Sequence, residues 1–281
     1  MTMLSINTNV GALKAASASY SVNKSMETSM QRLSTGKRIN SSADDAAGHA
    51  IANRMTAEIQ GLKQAIRNAA DAQAFMGTAE GGIEEIQTML LRLRELAVQS
   101  SNGTNSTADR ASLQLEAAQL EAEISRISDD TTWAGIKLLN NNLSGGVAVD
   151  GTFQIGADSG QTITLSIPDM AATAATIEYS AALTIGAFTN AQSAITELDE
   201  ALSGVASVRA DIAAKMNRLD HTIANLDNVV TNLSQAKGRI EDADFAAESA
   251  NLARVQVLQQ ASMAMLSQAN ASKQNILALF Q

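Results

Sequence analysis

Cysteine is absent from this chain of 281 residues, and proline occurs only once, at Pro168. Without cysteine, the chain can form neither disulfide bonds nor thiolate metal sites. Aromatic residues make up only 3% of the sequence whereas alanine is abundant, and this composition favours long helices. Acidic residues outnumber basic ones and give a net charge of −9, which argues against binding to nucleic acid.

Long apolar runs are also missing, and no stretch approaches the roughly 20 residues of a membrane-spanning helix. The first residues have neither the basic start nor the apolar stretch of a secretory signal, so we expect another export route if the protein leaves the cell. His49 and His221 lie outside any metal-binding pattern, and there is no glycine-rich phosphate loop. We therefore expect no cofactor, no metal site and no enzymatic activity.

The two ends of the chain are poor in charge, and this feature is the most informative one present. Residues 1–35 contain four charged side chains, and residues 246–281 contain three. Apolar residues recur at helical spacing in both segments, which gives nine candidate assembly residues: Ile6, Val10, Leu13, Leu252, Val255, Leu258, Met265, Ile276 and Leu279. We expect helices with so few charges to be buried against each other and against further copies of the chain.

A coiled-coil pattern runs through the middle of the chain. The apolar positions advance strictly by three or four residues, through Leu62, Ala65, Ala69, Ala72, Met76, Ala79, Ile83, Ile86, Leu90, Leu93 and Ala97. This seam predicts a helix from about residue 58 to residue 99, roughly 60 Å long. A second helix is predicted at about 108–128, and a third begins near 190 and carries a matching seam from Ile212 to Leu233.

Between the second and third helices the apolar period shortens to two residues. Residues 153–157 and 162–167 alternate apolar and polar side chains, and residues 158–160 form a turn sequence between them. The pattern predicts a β-hairpin at about 147–168. One face of this hairpin is apolar and requires a helix to pack on.

These patterns predict a mainly α fold. We expect a long antiparallel helical bundle or coiled coil with a small β-hairpin insert, and paired N- and C-terminal helices. The predicted domains are the terminal helices, residues 1–42 and 238–281, and the bundle with its hairpin, residues 43–237. A capping sequence at 41–44, Ser-Ser-Ala-Asp, is expected to open a helix near Ala43.

Several longer motifs occur in the order in which one protein family carries them. They are Leu4–Val10, Arg32–Ser41, Ser42–Gly48, Arg94–Ser100, Phe153–Ala157 with Gly160–Ile163, Arg239–Phe245, Gln268–Asn270 and Asn275–Phe280. Through these motifs the chain resembles bacterial flagellin over nearly its whole length. Only about 50 residues lie between the second and third helices, so the large outer surface domains of many flagellins are absent and the chain resembles a short form.

The resemblance implies a structural subunit that polymerises into the extracellular bacterial flagellar filament and serves swimming motility. The terminal helices would form its inner tube and the bundle its outer tube. The implied partners are further copies of the chain, the flagellar export apparatus, a secretion chaperone, and the hook-associated and filament cap proteins. A hook–filament junction protein is the alternative, although residues 31–52 and the motif at 94–100 favour flagellin.

The resemblance also implies detection of the monomer by innate immune receptors. The positions that match the surface shared by neighbouring protofilaments and the animal Toll-like receptor are Arg92, Glu95, Leu96, Gln99 and Glu116. The first four fall on one helical stripe, which we expect to face outwards. Residues 31–52 correspond to the stretch that a plant receptor kinase detects, but five positions there depart from its usual pattern: Lys37, Ser42, Ala43, His49 and Ala50.

Overall fold

The computed structural model describes residues 8–140, 149–170 and 183–278. Its helices are α1 (Val10–Thr35), α2 (Ala46–Ser100), α3 (Thr107–Asp130), α4 (Phe188–Glu241) and α5 (Phe245–Ala278). Its strands are β1 (Thr132–Trp133), β2 (Ile136–Lys137), β3 (Val149–Gln154) and β4 (Thr162–Ile167). This mainly helical architecture, with two small antiparallel sheets, confirms the predicted fold class. None of the helices in the described ranges is long and apolar enough to cross a bilayer.

The contacts within the chain separate it into two compact units. The terminal unit consists of residues 1–59 and 231–281, and the central unit consists of residues 60–230. Both α2 and α4 therefore contribute to each unit. The domain division expected from the sequence, with boundaries at 42 and 238, stays a prediction.

The core of the central unit follows the predicted seam of α2. All eleven seam residues are buried, and nine of them, from Ala69 onwards, have no exposed surface at all. They pack with buried residues of α3 and α4 such as Ile124, Leu198 and Leu219. Because a fully buried leucine or isoleucine contributes about 1.5–3 kcal/mol, this continuous apolar seam is the main stabilising element of the bundle.

The predicted β-hairpin is confirmed by the pairing of β3 with β4. The two strands run antiparallel, with Val149 opposite Ile167 and Gln154 opposite Thr162. Alternate residues of β4 point into the core, so Ile163, Leu165 and Ile167 are buried while the residues between them are not. Phe153 of β3 meets Phe75 of α2 edge to face, with 5.6 Å between ring centres. Residues 147 and 148, at the start of the predicted hairpin, lie outside the described residues.

A second, shorter hairpin was not predicted from the sequence. Strands β1 and β2 are joined by Ala134 and Gly135, which both have positive φ angles, of 49° and 84°. Two consecutive residues of this kind form the tight turn whose twist matches an antiparallel pair. Each strand has only two residues, so an alternating pattern has no room to show itself in the sequence.

Helix α2 begins three residues later than the capping sequence suggested. The Asp44 carboxylate accepts hydrogen bonds from the backbone N–H groups of Ser41 and Asn40 and so closes a turn before the helix. These bonds, the one from Ser41 above all, lower the pKa of Asp44. The helix itself is capped by Asp45, whose side chain accepts a hydrogen bond of 2.9 Å from the N–H of Gly48. The second of the two aspartates is therefore the cap.

Candidate assembly interface

Helices α1 and α5 of the terminal unit pack against each other along most of their length. Asn9 donates to the carbonyl of Ala269 over 3.1 Å, while Asn251, near the start of α5, donates to Ser29, near the end of α1, over 3.0 Å. Contacts that join the start of one helix to the end of the other require the two helices to run antiparallel. The predicted pairing of the N- and C-terminal helices is thereby confirmed.

The contact surface between these two helices is narrow and contains few buried side chains. Among the side chains that the structure describes on these helices, the buried ones are Ser19, Ser29 and Val255, while apolar side chains such as Leu33 and Leu252 are half-buried. Gln259 of α5 donates to Asn23 of α1 over 2.9 Å, so part of the contact consists of amide hydrogen bonds. Each such bond adds only about 0.5–1.5 kcal/mol, and few apolar side chains are fully buried, so the pair is weakly stabilised in the single chain.

A polar joint closes the pair where α1 ends and α5 begins. Gly36 ends α1 with a φ of 69°, and its carbonyl accepts the N–H of Ala243 over 2.9 Å. The Lys37 ammonium lies 2.5 Å from the Glu241 carboxylate, whose side chain is only 13% exposed. This hydrogen bond is the main reason why the pKa of Glu241 is lowered. These contacts, which we call the joint, hold the end of α1 and the start of α5 next to the end of α4.

Most of the apolar side chains on these helices remain outside the pair. Of the predicted assembly residues, four are 48–68% exposed: Val10, Leu13, Leu258 and Met265. Leu252 is half-buried and Val255 is buried in the contact with α1. Ile6 and Leu279 lie outside the described residues, and Ile276 belongs to α5 but its side chain is not among those described.

Further exposed apolar side chains extend this surface beyond the residues chosen from the sequence. They are Tyr20 and Met30 on α1 and Phe245, Val257 and Met263 on α5, each between 48% and 75% exposed. Tyr20 follows Leu13 by seven residues and Phe245 precedes Leu252 by seven, so the helical spacing could have indicated both, whereas Val257 lies beside Leu258 in sequence and points to another side of α5. Since exposed apolar residues appear on several sides of both helices, the helices have more than one face for contact with other molecules.

A cluster of ion pairs lies on the surface of the central unit. The Arg92 guanidinium on α2 contacts the carboxylate of Glu95 over 2.9 Å and that of Glu116 on α3 over 2.8 Å. The side chains of this Arg92 cluster (Arg92, Glu95 and Glu116) are 46–69% exposed. The two carboxylates, that of Glu116 first, raise the pKa of Arg92. The exposed Gln99 lies two turns further along α2, on the same stripe.

The expectation that Leu96 faces outwards with these residues is wrong. Its side chain has no exposed surface and belongs to the core of the central unit. Arg92 reaches α3, while Arg94 reaches Asp199 of α4 over 2.6 Å, so α2 packs on two helices at once. Viewed down the helix axis, Leu96 lies about 40° from Arg92, within the part of the α2 surface that lies between Arg92 and Arg94. Because α3 packs at one edge of this surface and α4 at the other, the side chains between the two arginines are buried, Leu96 among them.

Two regions of the chain match models of known protein families. The model of the bacterial flagellin N-terminal helical region matches residues 6–144, and that of the C-terminal helical region matches residues 195–280. A flagellin of Halalkalibacterium halodurans is 43% identical over 277 residues, which cover 98% of this chain and 99% of that one. The chain belongs to the bacterial flagellin family. Membership of this family of structural filament proteins confirms the expectation that the chain is not an enzyme.

Other relatives show how this flagellin compares in length. Flagellin FlaB2 of Treponema pallidum is 36% identical over 284 residues, again covering 98% of this chain and 99% of that one. Flagellin B of Vibrio cholerae is 31% identical, but its alignment extends over 377 positions because that protein has additional residues. This flagellin is thus a short form of the family, as the sequence indicated.

Two solved structures share the fold. The crystal structure of Bacillus cereus flagellin is 32% identical, with a TM-score of 0.50, and the match covers 61% of this chain and 94% of that one. The structure of a putative flagellar hook-associated protein from Vibrio parahaemolyticus has a TM-score of 0.61 over 71% of this chain and all of that one. At 14% identity, the second likeness shows only that the two proteins have a similar fold.

Proposed function

We propose that this flagellin polymerises through its terminal helices into the extracellular flagellar filament that drives swimming. The observation that carries the proposal is the surface of α1 and α5, on which apolar side chains are exposed and charged ones are few. A related protein of Brachyspira hyodysenteriae, 37% identical over 98% of this chain, is named a flagellar filament core protein. Contact with neighbouring copies would cover the apolar faces of both helices.

The energetics favour such an assembly. Burying a leucine or methionine side chain contributes about 1.5–3 kcal/mol, and each subunit would bury several of them. Burying an unpaired charge would oppose association, but this surface has few charges to desolvate. The loss of rotational and translational freedom is offset because every subunit of a helical polymer contacts several neighbours.

Leu258 offers a direct test, because its side chain is 48% exposed in the single chain. The variant Leu258→Asp places a carboxylate on the proposed contact, whereas Leu258→Met keeps an apolar side chain of similar volume. After precipitant-induced assembly, sedimentation and electron microscopy should show filaments of the wild-type chain and of Leu258→Met. The Leu258→Asp chain should remain in the supernatant.

Circular dichroism of the monomers separates failed assembly from failed folding. Because residue 258 is half exposed, Leu258→Asp should keep the helical content of the wild-type chain. Normal filaments formed by a folded Leu258→Asp protein would contradict the proposed interface. Micrographs also distinguish the hook–filament junction alternative, since a junction protein should form short rings rather than long filaments.

The remaining partners follow from the proposed role. We expect export through the flagellar export apparatus with the help of a secretion chaperone, and contact with hook-associated and cap proteins at the filament ends. Secretion assays in strains with and without the apparatus test the first of these partners. Continued secretion without the apparatus would refute it.

We also propose that the Arg92 cluster and Gln99 are the part of the central unit that a Toll-like receptor contacts on monomers. The support is their exposure and the position of all four side chains on one surface of α2 and α3. Leu96 has no part in this proposal, because it is buried. A plant receptor kinase that binds residues 31–52 is a second proposed receptor, for which the five differing positions predict weakened binding.

A further inference from the structure

The exposed methionines of this flagellin are concentrated on its terminal helices. Among the methionines whose side chains the structure describes, the exposed ones are Met30 on α1 and Met263 and Met265 on α5, at 48%, 57% and 68%. In the central unit, by contrast, Met76 and Met170 are completely buried. Thioethers that solvent can reach therefore lie on the surface that we propose for assembly.

The two methionines of α5 lie on different sides of this helix. Met265 follows Leu258 by seven residues and therefore lies on the same exposed stripe of α5. The hydroxyl of Ser19 on α1 donates to the sulfur of Met263 over 4.0 Å. A change at the Met263 sulfur therefore alters the edge of the α1–α5 pair, and a change at the Met265 sulfur alters the exposed stripe where a neighbouring subunit would pack.

We propose that Met265 and Met263 form an oxidation-sensitive site through which peroxide stops assembly of free subunits. The inference rests on the proposed function, because it assigns regulation to the same interface. Hydrogen peroxide transfers one oxygen atom to the thioether sulfur, which loses two electrons and becomes a sulfoxide. The peroxide is reduced to water, so no other reactant is needed.

The sulfoxide acts by making an apolar contact polar. An exposed sulfoxide on the monomer is solvated by water and leaves the helix intact. In the polymer the same S=O group would be covered by an apolar neighbour, where a polar group without a hydrogen-bond partner is strongly unfavourable. Once a subunit is incorporated, its thioethers are shielded, so the filament resists a dose of peroxide that disables the monomer.

The experiment uses the full-length chain as a monomer, treated with hydrogen peroxide and then freed of it. Mass spectrometry of peptides should find sulfoxide at 263 and 265, while Met76 and Met170 stay reduced because they are buried. The critical concentration for assembly, measured by sedimentation, should rise about tenfold or more, since each 1.4 kcal/mol of lost contact energy changes an equilibrium constant tenfold. Pre-formed filaments given the same dose should show little sulfoxide at 265.

Variants identify which sulfur is responsible. The double variant Met263→Leu with Met265→Leu should lose most of the rise in critical concentration that peroxide causes, because among the exposed methionines that the structure describes on α1 and α5 only Met30, which is less exposed, remains for oxidation. The control Met30→Leu keeps both α5 sulfurs and should lose assembly as the wild-type chain does. Treating the oxidised wild-type monomer with a methionine sulfoxide reductase and a dithiol should restore assembly, because the oxygen leaves as water and the dithiol is oxidised to a disulfide.

The outcomes separate this inference from the proposed function. If the wild-type chain carries sulfoxide at 265 and still assembles at its original concentration, or if the double leucine variant is equally inhibited, the oxidation site is refuted while the assembly proposal stands. If untreated wild-type chain forms no polymer, the assembly proposal fails and the oxidation site fails with it.

Discussion

Single residues on the surface of α2 have different roles although they are close together in sequence. Arg92 and Leu96 are one turn apart, but the first is 48% exposed and the second is fully buried. Substitutions at the two positions therefore have different meanings. A substitution at Arg92 changes the surface that is available to a binding partner, whereas a substitution at Leu96 changes the packing of the core of the central unit.

Removal of the Arg92 side chain should weaken receptor recognition without unfolding the protein. In Arg92→Ala both carboxylates of the cluster lose their partner, but exposed ion pairs add little to stability. Signalling by monomers in a Toll-like receptor reporter-cell assay should fall about tenfold or more, as for a residue central to an interface. Full signalling by the variant would refute the proposed receptor surface.

Two controls make this test specific. Arg126 on α3 also bridges two carboxylates and is 57% exposed, so Arg126→Ala should keep full signalling. Leu96→Ala should lower the free energy of unfolding of the central unit by about 2–5 kcal/mol, measured by urea denaturation. A signalling loss in Leu96→Ala would follow from that instability and would not identify a receptor contact.

The joint at Lys37 should make the terminal unit sensitive to acid. The hydrogen bond from Lys37 lowers the pKa of Glu241 below its ordinary value of 4.5. A carboxylate with a lowered pKa contributes stability that is present above the ordinary pKa and is lost as the pH falls through the lowered one. The protection factors of the α1 amides, which compare the observed exchange rate with the intrinsic rate at the same pH, should therefore decrease as the pH falls below about 4.5.

The variant Glu241→Gln removes the titrating group while it keeps the size of the side chain. Its α1 should exchange faster than the wild type at neutral pH and show a smaller further change in acid. Glu248, whose pKa is lowered by a hydrogen bond from Ser29 and by Arg32, retains its own contribution in this variant. An identical acid response of both proteins would exclude Glu241 as a source of the effect.

At the scale of the elements, three glycines of α2 allow alanine substitutions to be compared within one helix. A Cβ atom at Gly77 or Gly81 would meet nothing within 4 Å, whereas at Gly82 it would lie 2.7 Å from the buried Leu139. Gly77→Ala and Gly81→Ala should each stabilise the central unit by about 0.5–1 kcal/mol, because alanine favours the helix. Gly82→Ala should cost about 1–3 kcal/mol through overpacking, as measured by urea denaturation. Equal effects at all three positions would contradict the close approach of Leu139.

The elements differ in how far the sequence predicted them. The seam of α2 is a long repeated signal, so the burial of its eleven residues could be predicted one by one. Leu96 is buried because α2 packs on two helices. The single apolar seam in the sequence indicates the face towards one partner and does not reveal the second. Strands β1 and β2 are too short for any period, and the start of α2 depended on which of two adjacent aspartates forms the cap.

At the scale of the whole molecule, the two units should differ in stability. The central unit has a continuous apolar core, whereas the described part of α1 and α5 has only three buried side chains, Ser19, Ser29 and Val255. Amide protons of α1 and α5 should therefore exchange orders of magnitude faster than those of α3 in the monomer, because local opening costs less where little is buried. In the assembled polymer their exchange should slow towards that of the core. Equal protection of α1 in both states would show that assembly leaves this helix uncovered.

The residues of the proposed interface could be predicted from the sequence only in part, for a related reason. Scarcity of charge pointed to α1 and α5, and the structure leaves Val10, Leu13, Leu258 and Met265 exposed on them. Which apolar residue faces the partner helix and which faces outwards depends on how α1 and α5 meet. Val255 is the example, because it is buried within the chain and is not available to a neighbour.

The antiparallel contact between Asn9 and Ala269 has a consequence for the order of the chain. Positions close to the two ends of the sequence touch, with 3.1 Å between donor and acceptor, so a short flexible linker could join them. New ends could then be opened at Gly103, an exposed loop position between α2 and α3. Such a circular permutant would begin with the bundle and carry both terminal helices in its interior. It would show whether assembly depends on the packing of these helices or on their position as free chain ends.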